Sequence, residues 1–212
     1  MAYLTPSGYG LGELTEKRSR FIGEVWPIET ESAAKAQLDA VKSAHHDARH
    51  HCWCYILRAG TVVRYSDDGE PQGSAGLPML EVFRRGGIEN VLCVVTRYFG
   101  GILLGTGGLT RAYSKAAKLA LDAAGIAGMR QMAVVELACP YHLFDRIKIE
   151  IEVFSGHMDS AQYGADIAIT AAFTEDKAPL FLIRLSDVTA GAVTGHITGR
   201  REMAVEISAI EG

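Results

Sequence analysis

Hydrophobic positions in the first third of the chain change from a strand-like to a helix-like period. Residues 15–28 are rich in apolar and β-branched positions and predict a first strand. After it, Ala34, Leu38 and Val41 recur at i, i+4 and i+7, as on the buried face of a helix. Thr30 is placed to cap this helix, which we expect to end near His45.

Two β-rich runs follow within residues 52–66 and flank Ala59-Gly60, which predicts a hairpin. A polar turn at residues 67–73 then leads to a short helix with Ser74 as its predicted cap and Pro78 in its first turn. Residues 91–95 are continuously apolar, which predicts a central strand covered on both faces. A helix is predicted at residues 110–124, with Tyr113 among its buried positions.

Residues 125–130 read as a linker, after which the order of elements changes. We predict a strand at 132–139, a helix at 140–154, a hairpin of 158–163 and 166–173, a helix around Phe181, and a last strand at 196–207. Residues 147–153 alternate apolar and charged side chains and also fit a strand, but length and the initial proline favour a helix. The order βαββαβ is that of a ferredoxin-like sandwich. We therefore predict a two-domain α+β protein, with domains at 1–128 and 129–212.

Composition supports a globular protein, because 48% of the 212 residues are hydrophobic. The four cysteines are too scattered for a disulfide framework, so we expect a cytoplasmic protein. Residues 1–12 contain proline, several glycines and no long apolar run, so we expect no signal peptide. No run of about 18 apolar residues occurs, so we expect no membrane partner. Residues 1–130 carry a net charge of +2 and residues 131–212 a net charge of −6. The basic first part indicates phosphate-bearing partners.

The most unusual stretch is the glycine-rich segment RYFGGILLGTGGL at residues 97–109. A strand, a glycine-rich loop and a helix N-terminus together form a general anion site, because backbone N–H groups and the helix dipole both favour negative charge. The spacing is that of neither a Walker loop nor a dinucleotide fingerprint. Alternatively, the glycines only let two elements pack closely. The predicted anion or nucleic-acid site consists of Arg97, Tyr98, Phe99, Gly100, Gly101, Gly105, Gly107, Gly108, Arg111 and Lys115.

Two further clusters are candidates for metal binding. The acidic turn holds Asp67, Asp68 and Glu70, whose oxygens suit Mg²⁺, although Asp and Gly are also common in turns for their local hydrogen bonds. His50, Cys52 and Cys54 point the same way on a strand and suit zinc, but buried cysteines usually act as small apolar side chains. In both cases we favour the structural interpretation, and we predict no metal, no cofactor and no catalytic residue.

Two long strings carry a resemblance to a known family. They are YSDDGEPQGSAGLPML at residues 65–80 and VVTRYFGGILLGTGGLTRAY at residues 94–113. Both closely resemble the YigZ/IMPACT family, and DARHHC at residues 47–52 resembles its bacterial branch. The resemblance implies that the first domain is similar to a ribosomal protein and to the fourth domain of translocation factor EF-G. It implies that the second domain is similar to the fifth domain of that factor.

Both of these analogues touch RNA on the ribosome, and eukaryotic family members modulate translation. The resemblance therefore implies a non-enzymatic, translation-associated factor whose partners are RNA, the ribosome or a translation-related protein. In this hypothesis Arg97 and Arg111 contact phosphate, and Tyr98 or Phe99 stacks on a base. The alternative is a metal-dependent hydrolase of a phosphorylated or peptide-like small molecule, using the acidic turn or the His50 cluster. A third alternative, a protein-interaction module, predicts an exposed apolar groove.

Overall fold

A computed structural model describes residues 2–58 and 61–205 of the chain. Within them the chain forms two compact units, Tyr3–Gly128 and, together with Ala2, Met129–Val205. The elements of the first unit are β1 (Tyr3–Pro6), β2 (Gly10–Glu16), β3 (Ser19–Pro27), α1 (Glu31–Ala44), β4 (His50–Leu57), β5 (Val62–Ser66), α2 (Gly76–Arg85), β6 (Val91–Tyr98) and α3 (Thr106–Ala124). The predicted turn at Ala59-Gly60 lies outside the described residues.

The first unit is built on one antiparallel sheet in the order β2-β3-β6-β4-β5. Strand β6 lies in its centre, as its continuous apolar run predicts, and every residue from Val91 to Arg97 is buried. Helices α2 and α3 pack on one face of the sheet, where Phe21, Met79 and Tyr113 share a core. Helix α1 covers the other face with Ala34 and Val41. As predicted, the Thr30 side chain caps α1 by accepting the Ala33 N–H at 3.1 Å.

Two predicted element boundaries in the first unit are wrong. The single strand at 15–28 is a hairpin of β2 and β3, which turns at Lys17 and Arg18 with φ of +43° and +67°. Asparagine or glycine usually marks such a turn, and this sequence has neither. Helix α3 begins at Thr106 rather than at residue 110. The glycines in its first turn lower helix propensity, so the sequence predicts a start that is too late.

The cap of α2 also differs from the prediction. Ser74 does not cap the helix; its hydroxyl donates to the Pro71 carbonyl at 2.6 Å. The carboxylate of Asp67 accepts the N–H groups of Gly73, Ala75 and Gly76 at 2.8, 3.0 and 2.8 Å. Asp67 therefore fixes the start of α2 from outside the helix, which is a structural role for part of the acidic turn.

Replacing Asp67 with alanine should destabilise the first unit by about 2–3 kcal/mol, because three backbone donors lose a charged acceptor at once. Urea unfolding followed by tryptophan fluorescence measures this loss. Glu81→Ala is a suitable control, since Glu81 is only half-buried on α2 and pairs with Arg84 at the surface. An Asp67→Ala protein as stable as this control would contradict the capping role.

Strand β7 (Ile126–Cys139) begins at the end of the first unit and continues into the second. The other elements of the second unit are α4 (Tyr141–Val153), β8 (His157–Tyr163), β9 (Ile167–Thr174), α5 (Lys177–Val188) and β10 (Gly195–Val205). The element order βαββαβ and the helix, rather than strand, after Pro140 are as predicted. In the sheet, β9 lies between β7 and β8, and β10 pairs with β7. The helices cover the sheet with a core that includes Ile147, Ile151, Phe181 and Leu185.

The predicted linker at residues 125–130 is wrong, because Gly125 ends α3 and β7 begins at the next residue. Glycines such as Gly125 and Gly128 are typical of a loop, but Gly128 lies within strand β7. The final two residues of the predicted last strand, at 206 and 207, lie outside the described residues. In the part of the chain that the structure describes, no helix is both long and apolar enough to cross a membrane.

Candidate functional site

A cavity of about 440 Å³ opens in the first unit where the start of β4, the acidic turn, the end of β6 and the start of α3 meet. We call it the β6–α3 cavity. Strand pairing places its parts side by side, because Arg97 on β6 lies opposite Phe21 of β3 and opposite His50 of β4. Its wall includes residues from the acidic turn and the glycine-rich segment, which are far apart in sequence.

The floor of the cavity is a buried ion pair between Arg97 and Glu70. The two side chains are 6% and 4% exposed, and Arg97 Nη1 donates to Glu70 Oε1 at 2.5 Å. The Tyr113 hydroxyl donates to the same oxygen at 2.8 Å, and Arg97 Nη2 donates to the Ser19 hydroxyl at 3.4 Å. Arg97 Nε is buried with no hydrogen-bond partner among the described residues. A buried arginine at the wall of the cavity thus retains one unused donor.

Aromatic rings lie on either side of this arginine. Its guanidinium carbon lies 5.4 Å from the ring centre of Phe21 and 5.4 Å from that of Phe99. Phe21 belongs to the core, whereas Phe99 is 44% exposed and lines the cavity. These contacts hold the guanidinium in place by cation–π attraction and packing.

Below the floor, burial raises the pKa of Tyr113 far above its ordinary value, with further contributions from Cys52 and Glu70. Tyr113 therefore remains a neutral donor to Glu70. Burial also raises the pKa of Cys52, whose thiol donates to the Asp67 carbonyl at 3.0 Å. Cys52 and Cys54 both lie in the core under α2 and α3. Buried neutral thiols of this kind behave as apolar side chains rather than as zinc ligands.

The N-terminus of α3 faces the cavity. Gly105 is the N-cap with φ of +71° and makes no side-chain capping bond, and Gly105 and Thr106 line the cavity. The first N–H groups of a helix have no partner within the helix and carry its positive end. Arg49 lines the cavity and is exposed. The cavity therefore combines the backbone N–H groups at the start of α3 with the long cationic side chain of Arg49 at its opening.

The glycines of the segment serve two different purposes. A Cβ on Gly100 would lie 2.0 Å from the Arg18 carbonyl carbon, and the Gly100 N–H donates to the Ser19 hydroxyl at 3.1 Å. Gly100 therefore permits close packing against the β2–β3 turn. By contrast, a Cβ on Gly101, Gly105 or Gly107 would meet no atom within 4 Å, so the backbone there is open. Gly108 faces Leu104.

The remaining predicted cations form a separate group. Arg111 and Lys115 line a second recess of about 250 Å³ together with Lys17, which the sequence analysis did not select. We call these three residues the cationic strip. Leu104 lines both the strip's recess and the β6–α3 cavity, so the two are neighbours. The structure thus places Arg97 and Arg111 in adjacent recesses rather than in one.

Tyr98 lies apart from both recesses. Its hydroxyl donates to Asp47 Oδ1 at 3.0 Å and lies 2.9 Å from His45 Nδ1, beyond the end of α1. Of the two aromatic residues predicted to stack on a base, Phe99 lines the β6–α3 cavity, and Tyr98 lines neither of the two recesses described above. Arg49 and Lys17 are the cations that sequence reasoning missed. Lys17 belongs to no recognisable motif, and the DARHHC string that contains Arg49 gives no sign of a binding role. Only the folding of the β4 start and the β2–β3 turn brings the two cations to the glycine-rich segment.

The carboxylates of the acidic turn are all engaged by the protein. Asp67 caps α2, Asp68 accepts the His51 N–H at 2.7 Å and lies 3.5 Å from Lys42, and Glu70 pairs with Arg97. The His50 ring donates from Nδ1 to the Asp68 carbonyl at 2.8 Å. Among the described residues no group of three His, Cys, Asp or Glu side chains is arranged to hold a metal ion. The geometry gives the metal-dependent hydrolase hypothesis no support.

Comparison with known proteins identifies both parts of the chain. Residues 17–121 match the Impact N-terminal domain, and residues 137–192 match a domain of unknown function, DUF1949. The IMPACT family member YigZ of Escherichia coli is 35% identical over 180 residues, covering 84% of this chain and 88% of that protein. The IMPACT family member YvyE of Bacillus subtilis is 31% identical over 191 residues, covering 90% and 88%.

A solved crystal structure, described as that of a hypothetical protein, is similar along nearly the whole chain. Its TM-score is 0.61 at 32% identity, and the match covers 97% of this chain and 98% of that one. The fold is thus a two-unit α+β fold that recurs in solved structures. The chain belongs to the IMPACT family.

Proposed function

We propose that the protein is a cytoplasmic, non-enzymatic regulatory factor associated with translation, which binds single-stranded RNA along the first half of α3. The observation that carries this proposal is the continuity of positive groups there. The uncapped start of α3 and Arg49 border the β6–α3 cavity, and Lys17, Arg111 and Lys115 border the next recess. Such a row suits a chain of phosphates better than a single anion.

Helix geometry sets the spacing of this row. Thr106, Arg111 and Lys115 follow one another along α3, and at 1.5 Å per residue they span about 14 Å along the helix axis. That length accommodates several successive phosphates of one strand, about 3.4 Å apart along the axis when stacked. Phe99 is exposed beside the row and offers a ring on which a base can stack.

The family resemblance supports the same proposal. Similarity of the two units to the fourth and fifth domains of EF-G would place them among folds that touch RNA on the ribosome. Fold similarity alone carries little weight for function. It gains weight here because the cations lie on the surface of the first unit beside an open, glycine-rich backbone.

Reversing the charge of the strip should weaken RNA binding. We expect the Arg111→Glu/Lys115→Glu protein to bind a single-stranded RNA of about 12 nucleotides at least tenfold more weakly than the wild type, since two phosphate contacts become repulsive. The slope of log affinity against log salt should become shallower by about 0.7 for each lost contact. Fluorescence anisotropy across a salt series measures both quantities.

Arg84→Glu/Arg85→Glu is the matched control. It reverses two exposed arginines in the last turn of α2, in the same unit, and changes the net charge equally. We expect this control to bind RNA within about twofold of the wild type, because α2 carries these arginines at its end away from the cavity. Equal affinity of the strip variant and the control, or binding that does not depend on salt, would contradict the proposal.

A further inference from the structure

We infer that the loop between β6 and α3 separates stacked bases of the RNA strand by inserting the side chain of Leu103 between them. We call residues 99–105 the β6–α3 loop. This inference rests on the proposed function and adds an activity to it, because the cationic strip binds phosphates whereas the loop opens the base stack. Binding of the protein therefore removes local structure from the RNA.

The tip of the β6–α3 loop exposes apolar side chains. Leu103 is 82% exposed, more than any other large apolar residue in the described part of the chain. Ile102 and Phe99 are 41% and 44% exposed. The next residue, Leu104, instead packs against the core of the first unit. Neighbouring apolar side chains that the core leaves exposed mark a surface for binding another molecule.

Contacts on both sides of the tip hold it in place. Before the tip, the Gly100 N–H donates to the Ser19 hydroxyl at 3.1 Å. After the tip, Leu104 packs on the core. Only residues 101–103 lie between these two anchored positions. Because the tip is short and fixed at both ends, its side chains lose little conformational entropy on binding.

The charges beside the loop favour RNA as the partner. Leu104 lines the recess of the cationic strip, and Leu103, the residue before it, lines the β6–α3 cavity together with Arg49. Neighbouring Cα atoms are about 3.8 Å apart, so the apolar tip adjoins the cations. A nucleic-acid strand offers the matching pair of surfaces, since its anionic phosphates lie beside the apolar faces of its bases.

The thickness of the leucine side chain suits insertion between two bases. Stacked bases lie about 3.4 Å apart, and non-bonded carbon atoms make contact at about 3.5–4.0 Å. An aliphatic group in contact with a base on each side therefore at least doubles the spacing of the stack. Leucine and isoleucine side chains act in this way when they separate base steps in nucleic acids. A single strand yields more easily than a duplex, because no base pair has to be broken.

The test uses 2-aminopurine, a base whose fluorescence is quenched while it is stacked. A single-stranded RNA of about 12 nucleotides carries this base between two adenines at its centre. We expect saturating wild-type protein to raise its fluorescence about threefold, because an inserted side chain separates the base from its neighbour. Anisotropy of the same RNA, labelled at one end, measures binding independently.

Ile102→Ser/Leu103→Ser is the diagnostic variant. We expect it to keep the salt dependence of binding and an affinity within about tenfold of the wild type, because the cationic strip is intact. Its fluorescence rise at saturation should be lost. Leu180→Ser/Ile183→Ser is the matched control, since it removes two aliphatic side chains that are 56% and 62% exposed on α5 of the second unit. This control should raise the fluorescence as the wild type does.

The outcomes separate the two proposals. Salt-dependent binding of the wild type without a rise in 2-aminopurine fluorescence would overturn the unstacking inference and leave RNA binding by the strip in place. A rise that survives in Ile102→Ser/Leu103→Ser would overturn it too. Without a rise, binding of phosphatidylserine vesicles by the wild type but not by this variant would assign the tip to a lipid surface instead. If the RNA does not bind at all, the proposed function fails, and the inference that rests on it fails with it.

Discussion

Replacing Arg97 with methionine should lower the free energy of unfolding of the first unit by about 3–5 kcal/mol. The substitution leaves the Glu70 carboxylate in a site where its side chain is 4% exposed and where, among the described residues, only the Tyr113 hydroxyl still donates to it. An uncompensated charge in such a site either stays ionised at a high desolvation cost or takes up a proton on folding. Both routes destabilise the folded state.

The chain contains its own probe for this measurement. Its two tryptophans, Trp26 and Trp53, both lie in the first unit, so their fluorescence during urea unfolding follows that unit and not the second. The informative comparison is the triple variant Arg97→Met/Glu70→Leu/Tyr113→Phe, which removes the guanidinium, the carboxylate and the phenol hydroxyl together. We expect it to recover most of the stability lost by Arg97→Met, because apolar replacement of a complete buried pair is often neutral. A loss below about 1 kcal/mol in Arg97→Met would show that the pair is not buried in solution.

Gly23→Val should prevent the first unit from folding normally. A Cβ on Gly23 would lie 2.5 Å from the Ala116 carbonyl oxygen, and one on Gly12, directly opposite in the hairpin, would lie 2.6 Å from the Leu119 Cβ. Helix α3 therefore rests with its backbone against the sheet. A clash with backbone cannot be relieved by a rotamer change, so we expect a loss of about 3 kcal/mol or more.

The measurement is again urea unfolding followed by tryptophan fluorescence, together with the yield of soluble protein. Gly8→Ala is the matched control, because its Cβ would meet no atom within 4 Å and Gly8 does not have a positive φ. We expect Gly8→Ala to match the wild type within about 0.5 kcal/mol. A Gly23→Val protein that unfolds like this control would mean that α3 does not press on the sheet as described.

Elements with a clear hydrophobic periodicity could be predicted from the sequence, whereas elements fixed by contacts with residues far away in the sequence could not. The apolar run of β6 and the repeat of α1 identify both elements, because burial of one face or two determines each pattern. The turn at Lys17 and Arg18 escapes prediction since its positive φ is imposed by strand pairing rather than by its own residues. The start of α3 could not be predicted for a related reason, because packing of the helix against the sheet outweighs the low helix propensity of its glycines.

The candidate site was likewise predictable from the sequence only in part. Local sequence identifies a glycine-rich segment with arginines before and after it. It assigns Glu70 to a separate metal hypothesis, although Glu70 and Arg97 are one ion pair across 27 positions of the chain. Only the register of β4 against β6, with His50 opposite Arg97, brings the two together. Charge pairing of this kind has no local signature, so sequence alone could not reveal it.

The four cysteines of the chain are all buried, with the pKa of Cys52, Cys93 and Cys139 raised by burial. Reagents that attack thiolates should therefore leave the native protein unmodified at neutral pH. A single cysteine introduced at a surface position, for example Lys35 on α1, would then be the one site for a maleimide dye. Fluorophores for binding studies can thus be attached without first removing any natural thiol.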